Sequence, residues 1–343
     1  MGCSVSRVAL CAITLAFGMI GSGDEVIAQD QFYAGKTLTL YAGFPAGGGV
    51  DGEMRLVAHH LARFIPGKPS IVAKNMPGAG GIVLANFLYN NVAADGLTIG
   101  MPGRSGFLLS KIVNTSGANF DLSKFAYIGA AGSTNSILWL RRETGVQYIE
   151  QLKTSRELVL GAWSARSQNA IVPKVLANYR GWPFRVVHGY PGTGEVLIAL
   201  ERGEIDGLYS HEGSIQTARP DLIESGKIRA VFQSFNDLPN VPIIGDSATS
   251  KQEAALLNLL NAPSQVGLPL LAPPGTPIDR LDTLRAAYER MVRDKDFFQE
   301  AEKRSLPVGR PMFGRQLHEL ISDTLSSAPA DVVKEYLNYM SAK

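Results

Sequence analysis

Cysteine is nearly absent from this chain: only Cys3 and Cys11 occur among 343 residues, and both fall within the first 28. After residue 28 the sequence therefore offers no disulfide, thiolate metal ligand or cysteine nucleophile. An excess of one charge is lacking too, because 33 Lys and Arg residues oppose 31 Asp and Glu residues. This balance argues against nucleic acid as a partner.

Long hydrophobic runs are confined to the N-terminus. Arg7 precedes the apolar stretch Val8 to Ile20, an order typical of a secretory signal peptide and too short for a comfortable membrane span. We predict a signal peptide over residues 1–28, with cleavage near Ala28. The mature protein would then be periplasmic. Without disulfides, its stability there would depend on its hydrophobic core alone.

The stretch Thr37 to Gly52 combines three signals. Strand-forming residues alternate up to Ala42, glycines follow at positions 47 to 49, and a helical apolar pattern begins at Asp51. This order predicts a strand, a glycine turn and a helix. Free backbone N–H groups at the start of a helix attract anions, helped by the positive end of the helix dipole.

The same arrangement recurs along the chain and predicts an α/β fold with helices on both faces of its sheets. Ligands of such folds bind where the loops after the strands gather. Six loops spread over two candidate domains favour a cleft between two lobes. These loops begin at Pro45, Asn75, Pro102, Trp163, Gly189 and Ser210.

Motifs for catalysis or cofactors are incomplete. Gly47, Gly49 and Gly52 match the dinucleotide fingerprint, but the second predicted strand ends at Lys74 and Asn75 without the acid that holds a ribose. His59 and His60 are adjacent, so we expect them not to share a helix face as a metal pair. We predict no catalytic residue, no cofactor and no metal site.

Several segments of the mature chain resemble the solute-binding receptors of tripartite tricarboxylate transporters, the Bug family. The first two matches together are specific, and the resemblance covers essentially the whole mature chain. The matching segments are Phe44 to Asp51, Asn75 to Gly81, Asp95 to Thr98, Gly203 to Asp206, Gly226 to Ala230, Leu238 to Pro242 and Leu271 to Pro277.

The resemblance implies a two-lobed periplasmic binding protein of type II. Each lobe would be a mostly parallel sheet flanked by helices, with two crossover hinge strands. Residues 29–134 and 233–343 would form the first lobe and residues 135–232 the second. The implied partners are a small organic acid (a mono- or dicarboxylate, aromatic acids included) and membrane transporter subunits, with the receptor itself a monomer.

The ligand would be bound by loops of both lobes. One departure from the family is the segment Trp163 to Asn169, which lacks the usual histidine and adds Trp163 and Arg166. Arg166 either clamps a carboxylate or points to solvent, and we expect Trp163 to belong to the lobe core. The candidate ligand-binding residues are Phe44, Ala46, Gly47, Gly48, Asp51, Gly103, Arg104, Ser105, Ser164, Arg166, Ser167, Asn169, Tyr190, Thr193 and Ser210.

The expected function is capture of a small carboxylate between the lobes and delivery to a membrane transporter, without chemistry on the ligand. Two alternatives remain open at this point. One is an exported sensor component that presents its ligand to a membrane receptor. The other is an exported enzyme that processes a carboxylate.

Overall fold

The structure is a computed structural model that describes residue 2 and residues 32–112, 115–165, 167–235, 238–304, 306 and 308–341. The predicted signal peptide, apart from Gly2, lies outside the described residues, and so does Arg166.

Eleven strands and twelve α-helices alternate along the described chain. The strands are β1 (Thr37–Ala42), β2 (Ser70–Asn75), β3 (Thr98–Met101), β4 (Ala126–Ser133), β5 (Ser136–Arg141), β6 (Leu158–Ala162), β7 (Phe184–His188), β8 (Gly207–His211), β9 (Ile228–Gln233), β10 (Leu268–Ala272) and β11 (Arg310–Phe313). The helices are α1 (Gly49–Leu61), α2 (Ile82–Asn90), α3 (Ser105–Ile112), α4 (Gln168–Arg180), α5 (Thr193–Glu201), α6 (Glu212–Ala218), α7 (Pro220–Glu224), α8 (Lys251–Val266), α9 (Ile278–Met291), α10 (Lys295–Lys303), α11 (Gly314–Ser327) and α12 (Ala330–Ser341).

The strands form two sheets, which confirms the two-lobed α/β fold. The first sheet has the order β11-β4-β10-β3-β1-β2, and the second has the order β7-β6-β8-β5-β9. Parallel pairing joins β1 to β2 and β3, and β6 to β7 and β8. The remaining neighbours pair antiparallel.

The prediction of mostly parallel sheets is therefore wrong in this detail, because both sheets are mixed. Each antiparallel pair contains β4, β5 or β10, the strands at which the chain leaves or enters a sheet. Helical crossovers impose parallel pairing only on the consecutive strand–helix units, and segments that pass between the sheets are free to run the other way.

Apolar residues cover both faces of each sheet. In β1, Leu38 and Leu40 are fully buried in a core with Met54 and Leu56 of α1, while Tyr41 of the opposite parity packs with α2 on the other face. The second sheet is likewise enclosed, by α4 on one face and α5 on the other. Each lobe thus buries a core of its own on both sides of its sheet.

The C-terminal segment is shared between the sheets. Leu256 and Leu260 of α8, with Val332 and Tyr336 of α12, pack in the core that contains Leu138 of the second sheet. Residues 233–343, which the sequence analysis placed with the first lobe, thus supply helices to both sheets. The lobe boundaries themselves stay a prediction.

The two crossings between the sheets are joined by buried side chains. Asn135, between β4 and β5, donates from Nδ2 to Gln233 Oε1 at 2.8 Å and accepts from the Phe235 amide at 3.0 Å. Gln233 Nε2 donates in turn to the carbonyl oxygens of Leu238 (2.8 Å) and Val241 (2.7 Å). Two buried amide side chains therefore tie the outgoing and returning chain segments together.

Among the described residues, no helix has the length and apolar character needed to cross a bilayer.

Candidate functional site

The loop between β1 and α1 is held in shape from within by Asp51. Its carboxylate is 4% exposed and accepts hydrogen bonds from the Gly47 amide (2.9 Å), Asn75 Nδ2 (2.9 Å) and Arg55 Nε (3.0 Å). Burial alone would raise the pKa of Asp51, but the hydrogen bonds from Arg55, Gly47 and Asn75 outweigh it and lower that pKa below its ordinary value. Asp51 is therefore ionised, and it stabilises the loop around Gly47.

Two glycines shape the loop between β1 and α1 and its contact with the loop after β3. Gly47 has φ +84°, a left-handed conformation that glycine adopts without steric cost. Gly103 has φ +104°, and a Cβ there would lie 2.4 Å from the Phe44 ring. Phe44 of the first loop and Gly103 of the loop after β3 therefore pack directly together. Ala46, Gly47 and Gly48 remain exposed beside them.

Arg104 immediately precedes α3 and lies beside a buried acid. Its Nη2 lies 3.5 Å from Glu53 Oε1 of α1, and the Arg104 side chain is 22% exposed. Glu53 is 2% exposed, and among the described residues its Oε2 has no hydrogen-bond partner. Burial raises the pKa of Glu53 to about 8, against the opposing charge of Arg104. Glu53 therefore neutralises Arg104 only in part near neutral pH.

His211 brings the second sheet to the same place. It ends β8, and its Nδ1 lies 3.0 Å from Ser136 Oγ of β5. Burial, and then the positive charge of Arg104, lowers the pKa of His211 to about 4, so the imidazole is neutral at pH 7. The charge of Arg104, in the loop after β3 of the first sheet, therefore acts on His211 at the end of β8 in the second sheet.

Three residues in or beside the loops of the second sheet carry a buried polar atom without a hydrogen-bond partner among the described residues. Asn169 is 2% exposed, and its Nδ2 has no partner among the described residues. Trp163 Nε1 and the hydroxyl of buried Ser210 likewise have no hydrogen-bond partner among the described residues. Trp163 does pack against the lobe core, as expected, yet its indole N–H is left over. Buried polar atoms without partners are costly unless a ligand or water satisfies them.

The loop after β6 is otherwise internally bonded. The Ser167 hydroxyl donates to the Ser164 carbonyl oxygen at 2.6 Å and also contacts the Asn169 side chain. Ser164 is exposed. The remaining candidates are Tyr190, which packs on the core beside Gly161, and Thr193, the partly buried first residue of α5. Ser105 begins α3.

Three helices start at these loops without a side-chain cap. The N-cap residues are Gly48 of α1, Ser167 of α4 and Gly192 of α5, and none makes a capping side-chain hydrogen bond. α2 and α9 also begin without such a hydrogen bond, whereas Ser250 caps α8 and Asp294 caps α10. A helix start without a capping side chain leaves backbone N–H groups that can bind an anion.

Sequence reasoning missed Glu53 as a member of this site. A usable signal exists, since Glu53 lies one helical turn before Leu56 and Val57 on the apolar face of α1. An acid on a buried face needs a partner, and only the folded chain shows that the partner is Arg104. His211 was not among the candidate ligand-binding residues either.

A family model describes most of the chain. Residues 54–336 match the tripartite tricarboxylate transporter family receptor. No curated protein matches the chain.

Solved structures share the fold at low sequence identity. A solute-binding protein from Polaromonas, without ligand, superposes with TM-score 0.68 at 16% identity, over 89% of this chain and 99% of that one. MatC from Rhodopseudomonas palustris, with bound malate, gives TM-score 0.54 at 21% identity over 87% and 99%. Another R. palustris protein, with adipate, gives TM-score 0.55 at 18% identity over 89% and 98%. The chain thus spans nearly the whole of each neighbour.

Proposed function

Since this chain belongs to the receptor family of tripartite tricarboxylate transporters, we propose that it captures a small organic carboxylate between its two sheets and delivers it to the membrane subunits of such a transporter. The observation that carries the proposal is Arg104, which lies at the cleft with only a partial counter-charge from Glu53. A guanidinium in a partly desolvated place binds a carboxylate by two parallel hydrogen bonds.

The two sides of the cleft have different tasks in this proposal. Arg104, with the uncapped N–H groups of α1, binds one carboxylate of the ligand. Asn169 Nδ2, Ser210 Oγ and Trp163 Nε1 bind its other end, because these buried atoms have no partner of their own. Asp51 keeps the Gly47 loop in place and does not touch the ligand. Arg166 stays a prediction.

The ligand class follows from the mixture of one cation and several neutral polar groups. A short acid with a carboxylate at one end and a second polar group at the other satisfies both sides. The malate and adipate found in two structural neighbours are acids of this size. We therefore propose a mono- or dicarboxylate, held without chemical change.

Capture is coupled to movement of the lobes. A ligand that contacts both sheets has higher affinity for the closed arrangement and shifts the population toward it. The link of Asn135 and Gln233 between the two crossings is the place where such a rotation is absorbed. We propose that the receptor works as a periplasmic monomer and that the transporter recognises the closed form.

The test is binding of candidate carboxylates at pH 7, by thermal shift and isothermal titration. A carboxylate should raise the melting temperature, and Arg104→Gln should weaken binding by about 1.5–3 kcal/mol, roughly ten- to hundredfold. Arg202→Gln is the matched control, since the Arg202 side chain is 70% exposed and forms a long ion pair with Glu204 at 3.8 Å. Stabilisation by neutral sugars or amines alone would refute the proposal.

Recovery of the ligand separates binding from catalysis. Mass spectrometry of the released ligand should return the acid unchanged after prolonged incubation. A stoichiometric excess of a converted product would instead favour the enzyme alternative. Native mass spectrometry of the protein as purified is the direct way to find the natural ligand.

A further inference from the structure

Two adjacent histidines of α1 reach one carboxylate of α10. His59 Nδ1 lies 3.1 Å from Glu300 Oε2, and His60 Nε2 lies 2.8 Å from the same oxygen. Neighbouring residues of a helix point about 100° apart, so the expectation that they do not share a face was reasonable. The two side chains do lie on different faces, since His59 is 66% exposed and His60 3% exposed, yet both reach Glu300 because His59 uses its near ring nitrogen and His60 its far one.

The three ligand atoms have the spacing and chemistry of a metal site. They all lie within 4.8 Å of one another, the one such group found among the described residues. A tetrahedral ion at about 2.0–2.1 Å from each ligand separates the ligand atoms by roughly 3.3 Å. The observed separations of 2.8 and 3.1 Å are a few tenths shorter, so small side-chain shifts would admit an ion.

The second oxygen of the Glu300 carboxylate also has a partner. Arg304 forms an ion pair with Glu300 Oε1. Such a bond to the second oxygen orients a carboxylate that coordinates a metal.

We propose that His59 Nδ1, His60 Nε2 and the Glu300 carboxylate bind a divalent transition-metal ion of the Zn²⁺ type, which joins α1 to α10. The fourth position would be taken by water. His59 lies ten residues after Gly49 in α1, about 15 Å along the helix from the cleft end. The site is therefore separate from the carboxylate site, and its role is to stabilise the first lobe.

Arg63 sets the affinity of this site. Its Nη1 lies 3.1 Å from His60 Nδ1, so in the metal-free protein Nδ1 accepts and the proton sits on Nε2, facing Glu300. A metal on Nε2 needs that proton on Nδ1, and Arg63 must then turn away. It already has other partners, Asp294 at 3.7 Å and Asp296 at 3.2 Å. Arg63 therefore competes with the metal.

The experiment uses untagged, chelator-treated protein in the absence of carboxylates. Zn²⁺, Ni²⁺ or Co²⁺ should bind 1:1 by calorimetry and raise the melting temperature, whereas Mg²⁺ should not. His59→Ala should weaken Zn²⁺ binding at least tenfold without unfolding the protein, because the His59 side chain is 66% exposed. His188→Ala, at the end of β7, removes an exposed histidine elsewhere and should bind Zn²⁺ like the wild type.

Arg63→Gln distinguishes a metal site from a hydrogen-bonded link between two helices. The glutamine oxygen accepts from Nδ1–H, so Zn²⁺ should bind several-fold more tightly than in the wild type. The proposal is overturned if the wild type shows no Zn²⁺-dependent shift, or if His59→Ala responds as the wild type does. Neither result bears on carboxylate capture, which is measured separately.

Discussion

Arg104 Nη2 lies 3.5 Å from Glu53 Oε1, while the other oxygen of that buried carboxyl has no hydrogen-bond partner among the described residues. The pair joins the start of α3 to the first turns of α1, beside the loop that contains Gly47. Desolvation of Glu53 is thus only partly offset by Arg104, and the pKa of Glu53 rises to about 8. Both ligand binding and stability should depend on pH through this group.

Ligand affinity should fall as the pH rises through about 8. Below that value Glu53 is mostly protonated, and Arg104 presents its full charge to a carboxylate; above it, ionised Glu53 competes for Arg104. In Glu53→Gln the fall should disappear. Calorimetry from pH 6.5 to 9 measures this, and a Glu53→Gln variant with the same pH profile as the wild type would exclude the mechanism.

Glu53 should also make folding less favourable at alkaline pH. Its pKa is raised from 4.5 to about 8 on folding, so its contribution is fully present below about 4.5 and is lost as the pH rises through about 8. Within that window the free energy of unfolding changes by at most about 1.4 kcal/mol per pH unit. Urea unfolding at pH 5 and 8.5 should show a smaller decline for Glu53→Gln than for the wild type.

His211 should make folding less favourable at acidic pH. Its pKa is lowered from 6.5 to about 4 by burial and by Arg104, so its contribution is present above about 6.5 and is lost as the pH falls toward 4. His211→Asn, which can retain the contact with Ser136, should be less sensitive to acid than the wild type. Melting temperatures between pH 4.5 and 7 test this, with exposed His188→Asn expected to match the wild type.

Asp51→Asn should weaken both the fold and the site. The substitution puts an amide N–H among three donors, from Gly47, Asn75 and Arg55, and removes the charge that Arg55 pairs with. We expect a loss of about 1–3 kcal/mol in unfolding free energy and weaker carboxylate binding from a displaced loop. Asp282→Asn removes a half-exposed partner of Arg285 and should change neither quantity by more than about 0.5 kcal/mol.

Asn135→Ala should loosen the connection between the sheets. It removes one of the hydrogen bonds to Gln233 Oε1, which still accepts from the Leu238 amide at 2.9 Å, and it leaves the half-buried Phe235 amide without its acceptor, which costs about 1–3 kcal/mol. Hydrogen exchange at the Phe235 amide should accelerate accordingly. Asn90→Ala is the control, because Asn90 Nδ2 also contacts two acceptors but is exposed. If both substitutions lowered the free energy of unfolding equally, the buried Asn135 link would contribute no more to stability than an exposed contact does.

Much of the fold was accessible from local patterns. The stretch Thr37 to Gly52 was predicted as strand, turn and helix, and β1 and α1 confirm it. Local patterns are insufficient where packing overrides them. A proline usually ends or kinks a helix, yet α8 runs through Pro263 to Val266, because Ala262 and Val266 are buried in the core of the first sheet. The four-residue edge strand β11 carries too short a pattern to be recognised.

The sequence by itself determined the alternation of strands and helices, the glycine turns and the family, since these depend on residues close together in the chain. Only the tertiary structure decided which side chains meet. Glu53 and Arg104, Arg104 and His211, and His59 and Glu300 are each distant in sequence. Their burial and partners set their protonation and their availability to ligands. Hydrophobic periodicity places a helix face against a core, but it does not say which polar groups that packing brings together.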